Sequence, residues 1–199
     1  VDLAKVFRKT LLLSSMTDAY NPYESEAMRT REILTSLLPA QPKIRIITKS
    51  ALVTRDIDLL RRFPSAAVIF SFSSIDENFR CVAEPRASSP QDKIAALKRL
   101  KEEGIETAVM LAPIFPRITD HTAIIEAAAP YVSYMTFDTL NMRPQNKDAL
   151  LSFAAALRSE LKGLYEDIYI RGDKSFFRIL REEIREACRR YGVKGTIYF

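Results

Sequence analysis

The chain predicts an α/β fold: parallel strands wound into part of a (β/α) barrel, TIM-barrel-like, with a small C-terminal α/β extension. Three observations carry that prediction. Runs rich in β-branched residues alternate with helical patterns at a spacing of about 30 residues, the rhythm of βαβ units. Ala66-Ala67-Val68-Ile69-Phe70-Ser71-Phe72 is apolar on both faces, as expected of a parallel strand covered on both sides. After Arg143-Pro144 the pattern changes, so residues 1–144 read as the partial barrel and residues 145–199 as an extension packed on it.

Lys9 to Ser14 reads as the first strand. Asn21-Pro22-Tyr23-Glu24 then opens a helix, with Asn as cap, Pro in the first turn and Glu closing a capping box. Met28, Ile33, Leu34, Leu37 and Leu38 give it helical spacing, and Pro39 and Pro42 end it. Ile44 to Thr48 is the second strand, followed by a short helix on Ile57, Leu59, Leu60 and Phe63. Ala66 to Phe72 is the third. Ser89-Pro90 caps the next helix, which Ala95, Leu97 and Leu100 line and Gly104 closes. Thr107 to Pro113 and Val132 to Phe137 are further strands, with a helix over 122–129 between them. The extension reads as a helix from Lys147 to Leu161, a strand around Ile168-Tyr169-Ile170, a helix from Ser175 to Tyr191 and a last strand from Gly195 to Tyr198.

Composition narrows the function classes. At 199 residues with 47% apolar and 28% charged residues, the chain can bury a core and is not of disordered type. No apolar run has the length of a membrane span and no signal-peptide pattern is present, which leads to the expectation of a cytoplasmic protein. The net charge of +5 tolerates a phosphate-bearing partner without demanding one. Cys81 and Cys188 read as buried thiols rather than a disulfide. No cysteine pair has metal-ligand spacing and His121 is the single histidine, so a zinc site or a His-dependent triad has no support. There is no Gly-rich phosphate loop.

The ends of the strands hold the chemistry, because that is where repeated β/α folds aim side chains into a site. They read Ser14-Ser15-Met16-Thr17-Asp18-Ala19-Tyr20, then Thr48-Lys49-Ser50, then Phe70-Ser71-Phe72-Ser73-Ser74 with Arg80 and Glu84-Pro85, then Leu111-Ala112-Pro113-Ile114. In order and spacing, from Thr10 to Asn141, this series resembles the radical S-adenosylmethionine (SAM) enzymes of the spore photoproduct lyase-like family, also labelled DNA repair photolyase-like. The resemblance implies a partial barrel. It also implies a [4Fe-4S] cluster held by a CxxxCxxC motif, and SAM as the source of a 5′-deoxyadenosyl radical. It places Lys49 on the SAM carboxylate and Thr17 beside the amino-acid moiety. Ser71 and Ser73 face the ribose or the carboxylate, and Ala112-Pro113 packs the adenine. Ser15, Asp18 and Tyr20 fall on the substrate side.

Two departures from the family matter. The three-cysteine motif is absent, which implies that the first strand and the cluster loop lie upstream of Val1. On that reading this chain holds no metal, and the edge of the strand at Thr10–Ser14 is open, to be covered by the preceding segment or by another chain. Ser15 stands where the lyase itself has a hydrogen-donating cysteine, so a thymine lesion fits poorly as substrate.

Blander readings stand beside these. Lys49 by position alone is a solvated lysine, and Ser71 and Ser73 are sheet-edge hydroxyls. Arg55-Asp56 reads as structural, with the acid complementing a helix dipole. Glu84 reads as a partner of Arg80 or a loop cap, and His121 as a surface or capping residue. Tyr20 and Tyr23 are stacking or core residues. Arg178, Arg181, Arg185 and Arg189 form a stripe that suits nucleic acid, but Glu182 and Glu186 beside them favour an ordinary solvated face. The alternative function is a non-catalytic α/β module that binds nucleic acid or protein.

Overall fold

The structure, a computed structural model, describes residues 2–14, 16–141 and 143–199. Six parallel strands form one open sheet in sequential order: β1 (Thr10–Leu13), β2 (Lys43–Thr48), β3 (Ala66–Phe72), β4 (Glu106–Ile114), β5 (Tyr134–Thr139) and β6 (Gly195–Ile197). Each strand returns parallel to the one before it, so all six C-terminal ends open on the same edge of the sheet. Every residue of β3 is buried, which is the two-sided burial its apolar run predicts. The α/β fold and its parallel sheet are as the sequence indicates.

Ten helices connect or flank the strands among the described residues. They are α1 (Leu3–Val6), α2 (Glu24–Ala27), α3 (Arg29–Leu37), α4 (Ile57–Leu60), α5 (Glu77–Ala83), α6 (Pro90–Glu102), α7 (His121–Ala128), α8 (Lys147–Leu157), α9 (Leu161–Tyr169) and α10 (Ser175–Arg190). The main core runs from Leu34 and Leu37 through the strands to Leu180, Ile184, Ala187 and Cys188 of α10. Of residues 145–199, α10 and β6 therefore belong to the main sheet and core. Ala154 of α8 with Leu161 and Tyr165 of α9 makes a separate small cluster.

Several elements differ from the sequence reading. The helix expected from Asn21 to Leu38 is two helices, broken at Met28, which takes a left-handed φ of 55°. Glu24 closes no capping box. Its carboxylate instead accepts from the Thr30 amide at 3.0 Å, across the break, and from Arg55 at 2.8 Å. The strand expected at Ile168-Tyr169-Ile170 is the end of α9, because Leu161, Leu164, Tyr165 and Ile168 recur at helical spacing and bury one face. Helix α5 has no counterpart in the sequence reading; Asp76 caps it by accepting from the Asn78 amide. On α6 the buried stripe is Lys93, Ala96, Leu97 and Leu100, while Ala95 faces solvent. Cys81 is exposed rather than buried; Cys188 is buried, and both are free thiols.

Strand β1 pairs with β2 alone among the described residues, so its outer edge is open. Leu12 on it is 51% exposed, and α1 packs against the 3-10 turn Leu38–Ala40.

A buried ionic network fixes the segments that follow β1 and β2. Asp56 is fully buried, accepting from Arg31 at 2.9 Å, from Arg55 at 2.9 Å and from the Tyr20 hydroxyl at 3.1 Å. It thus serves a network and makes no side-chain helix cap. Burial would raise the Asp56 carboxyl pKa, but hydrogen bonds from Arg55 and Arg31 outweigh that and hold it below 3.8.

Two outcomes follow from these contacts. Asp56→Ala leaves Arg31 with Asp58 and Arg55 with Glu24. It removes the buried acceptor they share and the partner of the Tyr20 hydroxyl, and should lower unfolding free energy by about 1–3 kcal/mol. Because the folded-state pKa is depressed, the Asp56 contribution is present above the unfolded-state value near 3.8 and lost as pH falls below it. Wild-type stability should therefore drop more steeply than that of Asp56→Ala on acidification below about pH 4, followed by urea unfolding. At Gly195 an added Cβ would lie 2.8 Å from Cys188 Sγ and 3.2 Å from the Phe137 ring. Gly195→Ala should cost about 1–3 kcal/mol in urea unfolding, and Cys188→Ala in the same chain should recover part of it.

Candidate functional site

The strand ends predicted to carry the chemistry meet at the open edge of the sheet, and a clasp between β1 and β2 organises them. Asp18, just past β1, accepts from the Thr48 hydroxyl at 2.7 Å, from the Lys49 amide at 2.7 Å and from the Tyr20 amide at 2.9 Å. Thr48 is buried and its hydroxyl also accepts from the Ser50 amide at 3.0 Å. On the other side, the Lys49 carbonyl accepts from the Ser88 amide at 3.0 Å, and the Ser88 hydroxyl accepts from the Ala51 amide at 2.9 Å. The Lys49 backbone is thus held from both flanks. Its side chain has one direction to leave.

That direction is a cleft of about 560 Å³ lined by Thr17, Asp18, Tyr20, Tyr23, Lys49, Glu84 and their neighbours. Lys49 Nζ lies 2.5 Å from Glu84 Oε1, and the Ser73 hydroxyl donates to the same oxygen at 2.6 Å. The Lys49 side chain is 37% exposed and that of Glu84 only 13%. Burial would raise the Glu84 pKa, but hydrogen bonds from Lys49 and Ser73 hold it below the ordinary carboxylate value. Glu84 therefore pairs with Lys49, not with Arg80 as the sequence suggested. Arg80 instead binds Glu77 and donates to the carbonyls of Glu84, Pro85 and Ala87, cinching the loop that carries the acid.

Lys93 lies beneath this triad, 1% exposed on the core face of α6. Its Nζ donates to the Ser71 carbonyl at 3.2 Å and sits 4.2 Å from the centre of the Phe72 ring. Burial pushes its pKa down to about 8. Sequence reading missed it, although a lysine at the first position of an i, i+3, i+4, i+7 apolar stripe was the signal to find.

The remaining candidates are placed as follows. Thr17 is exposed on the cleft wall, and the Tyr20 side chain is 1% exposed with its hydroxyl on Asp56. Ser71 is buried on β3, with its hydroxyl 3.4 Å from the Ala112 carbonyl, and Ala112 and Pro113 are half-buried on β4. None of these three lines the cleft around Lys49. Ser15 lies outside the described residues. His121 is neither an exposed nor a capping residue. Asp120 caps α7, while the His121 side chain is half-buried with Nε2 3.8 Å from Glu183, and burial lowers its pKa. On α10, Arg185 and Arg189 pair with Glu182 and Glu186 on a solvated face.

The Lys49 ammonium, the Thr17 hydroxyl and the Glu84 carboxylate all line the cleft, a set of groups that suits a polar ligand. An iron–sulfur cluster does not fit the residues present. The chain has two cysteines, one exposed and one buried, and no group of three metal-ligating side chains occurs among the described residues.

No protein-family model matches the chain. It is 34% identical over 139 residues to an uncharacterized protein of Methanocaldococcus jannaschii, covering 70% of this chain and 53% of that protein. An uncharacterized protein of Acidianus two-tailed virus is 38% identical over 106 residues, 52% of this chain and 35% of the relative. The chain thus spans about half or less of the length of these curated relatives. A radical SAM Nalpha-GlyT isomerase of Pseudomonas phage M6 is 27% identical over 111 residues, 56% of this chain and 23% of the isomerase. Among solved structures, spore photoproduct lyase with bound AdoMet and dinucleoside spore photoproduct superposes with a TM-score of 0.64 at 15% identity, over 96% of this chain and 61% of the lyase. The lyase with the dinucleoside alone gives 0.62. The likeness drawn from the strand ends is borne out, and the chain has the fold of spore photoproduct lyase.

Proposed function

We propose that this chain is the SAM-binding portion of a radical SAM enzyme of the spore photoproduct lyase-like family. The observation that carries the reading is Lys49, a cation fixed by the backbone at the end of β2 and aimed into a cleft in a fold shared with a protein that binds AdoMet. In this reading Lys49 receives the carboxylate of SAM, the exposed Thr17 hydroxyl lies beside the amino-acid moiety, and the buried Ser73 acts through Glu84, to which it donates. Ser71, one strand along from Lys49 on β3, and the Ala112-Pro113 backbone, two strands along on β4, serve the ribose and adenine. Strands β2 and β4 are about 10 Å apart at the usual inter-strand spacing, a distance that an extended nucleoside–amino acid can bridge.

The chemistry SAM supplies when bound is a 5′-deoxyadenosyl radical, and this chain's part is to bind and orient it. Reductive cleavage needs a cluster that these residues do not fit, so the proposed role here is binding.

Lys49→Ala should weaken SAM binding about tenfold or more, the loss of one charge-assisted hydrogen bond, measured by calorimetry. Asp18→Asn should turn an amide toward the Lys49 N–H, displace Lys49 and reduce SAM affinity several-fold, although the ammonium itself is retained. Wild-type chain that bound no SAM at any accessible concentration would sink the reading.

A further inference from the structure

The sheet has a second open edge. Strand β6 ends the strand order and pairs with β5 alone among the described residues. The Lys194 carbonyl accepts from the Met135 amide at 2.8 Å, and the Tyr198 amide donates to the Phe137 carbonyl at 3.0 Å. In a parallel ladder a residue turns its N–H and C=O to one side, and its neighbours turn theirs to the other. Lys194, Thr196 and Tyr198 therefore face β5, while Gly195 and Ile197 point both backbone groups outward. These two residues line a groove of about 590 Å³ between the free edge and α10, with Ile184 and Val193 adding apolar wall. An open edge is a template for a further strand. A segment laid here has a strand on one side and a helix on the other, and main-chain pairing gives it affinity.

The charge of the groove narrows what that segment is. Arg185, Arg189 and Lys194 line it against one acid, Glu182. Glu182 pairs with Arg185 and Glu186 with Arg189, but all four side chains are more than half exposed, and such pairs contribute little. The cations are thus open to a new partner. A second copy of β6 would bring the same cations to the seam and be repelled. Nucleic acid would use the cations but leave the outward amides and the apolar wall unused. We propose that the groove between β6 and α10 is a docking site for an extended segment of a partner protein, carrying acidic and apolar side chains, which adds a strand to the sheet. Gly195 and Ile197 supply the backbone pairing, and Arg185, Arg189 and Lys194 select the acids. The groove shares no residue with the Lys49 cleft, so the proposal is independent of SAM binding.

The test uses the full chain and fluorescein-labelled heptapeptides that alternate valine with glutamate or with lysine, read by fluorescence anisotropy. The glutamate peptide should bind about tenfold or more tightly than the lysine peptide, and its affinity should fall as salt rises. Two further glutamate peptides carry N-methyl groups on one or the other alternate set of backbone nitrogens, keeping every charge. One of the two should lose about tenfold or more, because its pairing amides are blocked. Arg185→Glu with Lys194→Glu should reverse the preference between glutamate and lysine peptides. Ile197→Pro removes an outward N–H but no bond to β5, so it should weaken the glutamate peptide more than Ile197→Ala does, at similar urea stability. A glutamate peptide that binds no better than the lysine peptide, or that tolerates both methylation patterns, overturns the proposal. So does a single-stranded oligothymidylate that binds and loses affinity in Arg185→Glu with Lys194→Glu while the glutamate peptide does not bind, since the cations then serve nucleic acid.

Discussion

The carboxylate of Asp18 is the joint on which the arrangement of the cleft depends. Parallel strands bring their ends to one edge of the sheet but do not dictate where the chain goes after leaving it. Asp18 settles this for two strands at once by accepting from Thr48 and Lys49 at the end of β2 and from Tyr20 beyond β1. A carboxylate satisfied by three donors, two of them backbone amides, sets the backbone geometry as well as a side-chain rotamer. Lys49 emerges next to this joint. An ammonium on a flexible stem is a poor positioning device unless its backbone is fixed. The Ser88 contact on the other flank completes that fixation.

From the same joint a polar path runs into the protein. The Tyr20 amide meets Asp18, while its hydroxyl meets Asp56, which Arg31 and Arg55 neutralise. Arg55 continues to Glu24 and to the break between α2 and α3. Buried ion pairs are weak contributors to net stability, because desolvation offsets much of the attraction. Their effect here is to fix geometry. They hold a left-handed residue at Met28 and seat the Tyr20 ring, and with it one wall of the cleft. Asp56 is shared by both arginines and the Tyr20 hydroxyl, whereas each half-buried arginine has a second carboxylate of its own, so the acid is the centre of the network.

The sheet was legible because its signals are local. β-branched runs, the two-sided burial of β3 and the Ser89-Pro90 cap all lie within a few residues of what they determine. Lys49 was legible for the same reason, as a cation at the end of a strand. Its partner was not. Glu84 meets Lys49 across 35 residues, and nothing near it in sequence distinguishes this from pairing with Arg80 four residues away. The break at Met28 was hidden in the same way, since helical periodicity passes through it and the groups that hold it open come from Arg55. At Ile168-Tyr169-Ile170 a β-branched run outweighed a helical stripe that begins seven residues earlier at Leu161. Length is the better guide there, because strand and helix patterns look alike over three residues.

Lys93 shows why burial of charge cannot be read from one helix alone. Its position on α6 is an apolar position by period, and an isolated ammonium there would be expelled or neutralised. It is tolerated because β3 supplies a carbonyl at Ser71 and a ring face at Phe72, and because Glu84 lies close enough to favour the charged form. The same closeness runs the other way, since Lys93 helps to keep Glu84 ionised. An ionised Glu84 behind Lys49 gives the cleft both signs of charge. Arg80 braces the loop that carries the acid and Ser73 hydrogen-bonds it, so Glu84 is held in place behind Lys49.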